Sequence, residues 1–191
     1  MKPSLVYACV VAAAATSGAA GYYFQRSGML AHENIAVAPA ESLEQRTGAD
    51  QMRGRKRPDF TLTDVNGRVR HVDEWNGRVI ALNFWATWCP PCREEIPEFV
   101  ALQSRYADRG LQIVGIALEN PEKVQGFLQE HHINYPVFAG DADVEALSRA
   151  YGNNIGALPY TVIIDRKGRI AFVKQGLLSG KVAEQVITRL L

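Results

Sequence analysis

The sequence predicts an α/β fold, a central mixed sheet flanked by helices. Three observations point there. Residues 79–85 and 111–118 are almost wholly apolar, as strands covered on both faces are. Stretches with apolar residues at helical spacing alternate with such runs, which calls for parallel strands joined by crossover helices. Two further segments read as hairpins, and these add antiparallel strands at the edges.

In chain order, residues 60–64 and 69–72 alternate in polarity around Asn66-Gly67, a dipeptide that tolerates the positive φ of a tight turn. The apolar strand 79–85 follows. Residues 92–109 form a helix: Ile96, Phe99, Val100, Leu102 and Tyr106 supply one apolar side, and Gly110 stops it. The strand at 111–118 leads to a helix that starts at Pro121 and reaches about His132, with Val124, Phe127 and Leu128 inward. A short strand covers 135–138. A helix over 143–151 takes Asp141 or Asp143 as its cap. Residues 160–165 and 169–174 flank Asp165-Arg166-Lys167-Gly168 as a second hairpin, and Ser179 caps a final helix.

The chain of 191 residues is 47% hydrophobic and 21% charged, enough for one packed domain, expected over 58–191. A formal net charge of +1 argues against a nucleic-acid partner, whose binding rests on neutralising phosphates. Residues 1–24 read as a signal anchor or a cleaved signal peptide. The run from Leu5 to Phe24 carries no charge, matches the ~20 residues that span a bilayer, and ends in Tyr22, Tyr23 and Phe24 at the interface. The small residues Ser17, Gly18, Ala19 and Ala20 keep cleavage open. With the positive end first, the rest of the chain is exported. Cys9 reads as a small apolar residue within that run. Residues 25–57 read as a flexible linker, and its basic cluster, Arg53-Gly54-Arg55-Lys56-Arg57, as a solvated stretch.

Two of the three cysteines stand together as Cys89-Pro90-Pro91-Cys92, after a buried strand and at the opening of a helix. The first thiol there meets unpaired N–H groups and the helix dipole, which stabilise a thiolate that attacks disulfides. The second, one turn on, is placed to attack the mixed disulfide and release the product. Prolines fit a first turn that does not need their N–H groups. A c-type haem needs His after the second Cys, where Arg93 stands. A zinc site needs further ligands, and His131 and His132 read as a solvated helix end. No metal and no cofactor is expected. A purely structural disulfide remains the alternative, although so short a loop adds little stability.

The segment Asn83-Phe84-Trp85-Ala86-Thr87-Trp88-Cys89-Pro90-Pro91-Cys92-Arg93-Glu94-Glu95-Ile96-Pro97 resembles the active-site segment of the thioredoxin superfamily. More closely it is similar to the membrane-tethered TlpA/ResA/CcmG-like thiol–disulfide oxidoreductases. The resemblance covers residues 58–191 and implies a thioredoxin fold with an N-terminal β-hairpin. It reads residues 111–139 as the inserted strand–helix unit of that subgroup. It also implies a kinked helix at Pro97 and a cis proline at Pro159 packed beside the disulfide. Many thioredoxins carry a buried Asp where this chain has Asn83, which cannot titrate. The resemblance points to Glu95 as the acid–base residue instead, with a solvated helix carboxylate as the plain alternative. Trp88 is expected to cover the disulfide or to sit in the core.

The expected activity is disulfide reduction in exported proteins. The resemblance implies apocytochrome c or copper-site assembly proteins as substrates, a membrane-bound electron donor, and the bacterial inner membrane or periplasm as location. Two rivals stay open. One is a thiol peroxidase of the peroxiredoxin type, suggested by Pro58-Asp59-Phe60, Thr87 and Arg93. The other is a copper carrier using Cys89, Cys92 and a distant His.

Overall fold

The structure, a computed structural model, describes Gly48 and residues 51–191. Its main sheet has five strands in the order β5-β4-β3-β6-β7. These are β3 (Val79–Trp85), β4 (Leu111–Ala117), β5 (Val137–Ala139), β6 (Tyr160–Ile164) and β7 (Ile170–Gln175). β3 pairs in parallel with β4, and β4 with β5, whereas β6 is antiparallel to both β3 and β7. The sheet is therefore mixed through its centre, because the 160–175 hairpin adds β6 directly beside β3. The expectation that hairpins supply only edge strands is corrected here. The N-terminal hairpin, β1 (Thr61–Thr63) with β2 (Val69–His71), forms its own two-stranded sheet. It meets the main sheet through an Asp64–Phe138 bridge and the Val65 N–H to Val137 O bond at the β5 edge.

Among the described residues the helices that flank the sheet are α1 (Pro90–Tyr106), α2 (Pro121–Glu130), α3 (Ala142–Ala150) and α4 (Gly180–Leu190). Every residue of β3 and β4 is buried, and the two-residue period divides them between two cores. Val79, Ala81 and Trp85 join Cys89, Cys92, Ile96 and Phe99 of the α1 side, with Val124 of α2 and Ile187 of α4. Ile80, Leu82 and Phe84 join Phe60, Trp75, Val144 and Tyr151. α1 runs through Pro97, which has no N–H to donate back along the helix. Gly110, at φ 99, turns the chain from the short 3-10 segment after α1 into β4.

The linker expected over 25–57 ends sooner than its composition suggests. Met52 is 8% exposed and Arg57 5% exposed. Gly54 and Arg57 donate their N–H groups to Ile170 O and Gly168 O, covering the start of the β7 edge. Arg57 pairs with Asp59 and Asp73, and Arg53 lies 5.6 Å over the Phe172 ring. Gly152, at φ 92, makes room for Met52; a Cβ there would stand 2.6 Å from Met52 Cγ. The stretch 51–57 is thus part of the fold, with Arg57 buried against the distant Asp73, while the side chains of Arg53, Arg55 and Lys56 stay exposed, as a solvated stretch requires. Among the described residues, no helix is long and apolar enough to cross a membrane. The expected segments at 1–24 and, apart from Gly48, at 25–50 lie outside the described residues, as does Cys9.

Candidate active site

β3 delivers the chain into a short loop, Ala86 to Trp88, and then into α1. Cys89 is the N-cap of α1 with extended dihedrals (φ −93, ψ 105), and Pro90 and Pro91 open the first turn. Cys89 and Cys92 form a disulfide with Cα atoms 5.3 Å apart. Cys89 is 4% exposed and Cys92 fully buried, so access is narrower than a helix entrance suggests, and what there is favours Cys89. Of the first three helical residues only Cys92 keeps an N–H, since the other two are prolines. The loop before the pair is clamped: Glu119 accepts from the Thr87 N–H and, at 2.9 Å, from its hydroxyl.

Trp88 is 68% exposed, which excludes a place in the core. With Leu118, Gly140, Asp141, Glu145 and Leu158 it lines a groove of about 290 Å³. Leu158–Pro159 is a cis peptide, as expected. Pro159 is buried and immediately precedes Tyr160, which pairs with Phe84 on β3. Asn153 braces the preceding loop by accepting from the Ala157 N–H and donating to the Ala157 carbonyl.

Glu95 is not a solvated helix carboxylate. It is 1% exposed, three residues after Cys92 on the inner side of α1, while Glu94 beside it faces solvent. The Leu178 N–H donates to Glu95 Oε1, and Asn83 Nδ2 donates to Oε2 at 3.0 Å. Burial pushes its carboxyl up from 4.5 to about 7; the Leu178 and Asn83 donors and the charge of Lys174 pull the other way but do not win. A carboxyl poised there exchanges protons at neutral pH. Asn83 also donates to Thr161 Oγ1 at 3.0 Å.

Sequence reasoning missed Thr161, Lys174, Glu119 and the Leu178 N–H. The one available signal was a buried Asn within an apolar strand, which must find partners. Among the described residues, no three His, Cys, Asp or Glu side chains gather as metal ligands. His131 is half-buried and stacks on Phe127 with centroids 4.0 Å apart, rather than standing in solvent; His132, at φ 50, is exposed.

Residues 52–187 match the Redoxin family. The chain is 34% identical over 136 residues to the thioredoxin-like protein YneN of Bacillus subtilis, covering 69% of this chain and 76% of that one. It is 31% identical over 133 residues to the thiol–disulfide oxidoreductase ResA of Geobacillus thermodenitrificans, covering 69% and 74%. Among solved structures, a thiol:disulfide interchange protein of the thioredoxin family from Chlorobium tepidum superimposes with a TM-score of 0.67 at 31% identity. That match covers 72% of this chain and 97% of that one.

Proposed function

Because this chain belongs to the Redoxin family and is a thiol–disulfide oxidoreductase of the ResA type, we propose that it reduces disulfides of exported proteins. The observation that carries this reading is the buried Glu95 carboxyl on the helix that holds the cysteine pair.

In the reduced protein the Cys89 thiolate attacks one sulfur of a substrate disulfide. A Cys89–substrate disulfide forms, and the other substrate sulfur leaves as a thiolate. Cys92, fully buried, resists ionisation, so its proton needs an acceptor. Asn83 cannot take it, and Glu95 does. The Cys92 thiolate then attacks Cys89 Sγ, restoring the Cys89–Cys92 disulfide and releasing the second substrate sulfur as a thiolate. Two electrons have passed to the substrate, and a membrane-bound dithiol donor returns them. Pro90 and Pro91 support the reducing direction. They remove two N–H groups from the first turn, which leaves the Cys89 thiolate less stabilised than a fully furnished helix end makes it.

The substrates are exported proteins of the apocytochrome c or copper-site assembly type. The domain works in the bacterial periplasm, held by the segment at 1–24 or released by its cleavage. The peroxidase alternative is less well supported: it calls on Thr87 and Arg93 at the thiol, whereas the Thr87 hydroxyl donates to Glu119 and Arg93 is exposed. Redox titration of the Cys89/Cys92 pair tests the direction. A potential near the roughly −270 mV of thioredoxin supports the reductase, and one near the roughly −120 mV of DsbA overturns it. Peroxide consumption and a Cu(I) titration separate the two rival chemistries from disulfide exchange.

A further inference from the structure

One row of side chains crosses the main sheet beneath Glu95. Asn83 on β3 pairs with Thr161 on β6, and Thr161 pairs with Lys174 on β7. Residues directly opposite one another project to the same face of a sheet. The adjacent row on that face, Ala81, Ile163 and Phe172, is apolar. The polar row is thus an exception inside a core, and burying it is costly unless its groups are used. Asn83 is 1% exposed and Thr161 fully buried, while Lys174 is exposed at the edge strand.

The row has a direction. Both Asn83 amide hydrogens are spent, one on Glu95 Oε2 and one on Thr161 Oγ1, each at 3.0 Å. Asn83 Oδ1 is buried without a partner. The amide therefore faces Glu95 as a donor, at the expense of an orphaned oxygen, and a donor favours the ionised carboxylate. The reverse orientation would need a proton on Glu95 to give back.

We propose that Asn83, Thr161 and Lys174 are a positioning row for Glu95. Thr161 holds the Asn83 amide donating toward the carboxylate, and Lys174 places a positive charge at the open sheet edge that helps the buried carboxylate release its proton. This rests on the reading of Glu95 as the acceptor of the Cys92 proton. The other groups facing Glu95 do not supply that charge. Tyr135, before β5, stays neutral, because burial and the Glu95 charge both push its phenol up. Leu178, after β7, offers only its N–H. The α1 first turn offers the two cysteines. Lys174, two strands from Asn83 on the same face of the sheet, is a cation whose charge pulls the Glu95 carboxyl down.

The test is a carboxyl-carbon NMR titration of Glu95 in the oxidised full chain, a readout that needs no activity. Lys174→Gln, at an exposed site, is expected to raise the Glu95 midpoint by on the order of half a pH unit, the size of one partly screened charge. Lys174→Arg should restore it. Thr161→Val should also raise the midpoint, and Thr161→Ser should return it. Midpoints unchanged in both Lys174→Gln and Thr161→Val overturn the row. If the midpoints move while Glu95→Gln leaves the exchange rate unaltered, the row stands and the acceptor role of Glu95 falls.

Discussion

Replacing Glu95 by glutamine removes one titration from the core and leaves the shape of the site nearly intact. The carbonyl of the introduced side chain can accept the Leu178 N–H, and a turn of the Asn83 amide lets its oxygen accept from the new amide nitrogen. In the unfolded chain Glu95 ionises at 4.5; in the folded protein it does so at about 7. Between those values the folded state binds the extra proton, so stability falls as pH rises. The Glu95 contribution is complete below 4.5 and lost as pH passes through about 7. A gap of this size, at about 1.4 kcal/mol per pH unit, amounts to about 3 kcal/mol. Asp73, Glu74 and Glu184 are shifted downward by their hydrogen-bonded partners. Their stabilisation is lost toward acid, and it is common to both proteins, so it cancels in the comparison. Urea unfolding of the oxidised wild type and variant from about pH 4.5 to 8, with unchanged m-values, measures the difference. The stability of the wild type relative to Glu95→Gln should decline by about 3 kcal/mol across that range. Parallel stability curves would refute the raised carboxyl and, with it, the account of why burial matters at this position.

Further outcomes can be checked directly. In exchange assays on the reduced protein, Glu95→Gln should slow turnover near pH 7 by about a hundredfold or more and lower at least one thiol pKa, read from alkylation rate against pH. Cys92→Ala should accumulate mixed disulfides with partner proteins while Cys89→Ala does not; non-reducing gels decide, and the opposite pattern would reverse the thiol roles. Arg57→Ala should cost about 1–3 kcal/mol through its lost bonds to Asp59, Asp73 and Asn76, measured by urea unfolding, whereas a solvated linker residue would cost nothing. Sequencing the mature amino terminus should find Leu5–Phe24 retained, and a start after Ala20 would make the domain a soluble periplasmic protein.

How much was legible in the sequence varied with the range of the forces involved. The strands at 79–85 and 111–117 were readable because burial on both faces leaves an apolar run, and the helices because one apolar side recurs at helical spacing. The β1–β2 hairpin was readable as well, but not that it forms its own sheet or that β6 lies beside β3, since which strands join one sheet is chosen by packing between distant segments. The packing of 51–57 was hidden because Arg57 reads as solvent-facing like its exposed neighbours Arg53, Arg55 and Lys56, yet it is buried and finds Asp73 sixteen residues away.

Residue order alone dictated the chemistry that depends on neighbours in the chain. Cys89-Pro90-Pro91-Cys92 at a strand-to-helix junction sets the spacing of the sulfurs and the first-turn donors, and these are local properties of the backbone. The identity of Asn83 also excluded a titrating group at that position. Folding was needed to make Glu95, rather than Glu94, the carboxylate inside, and to set the state it keeps. Its proton affinity is set by exclusion of water, by the Leu178 N–H arriving from 83 residues further along, and by an Asn83–Thr161–Lys174 row that exists only once β3, β6 and β7 are in register. Desolvation and Coulomb forces act through space, so a pKa belongs to the folded environment and not to the order of residues along the chain.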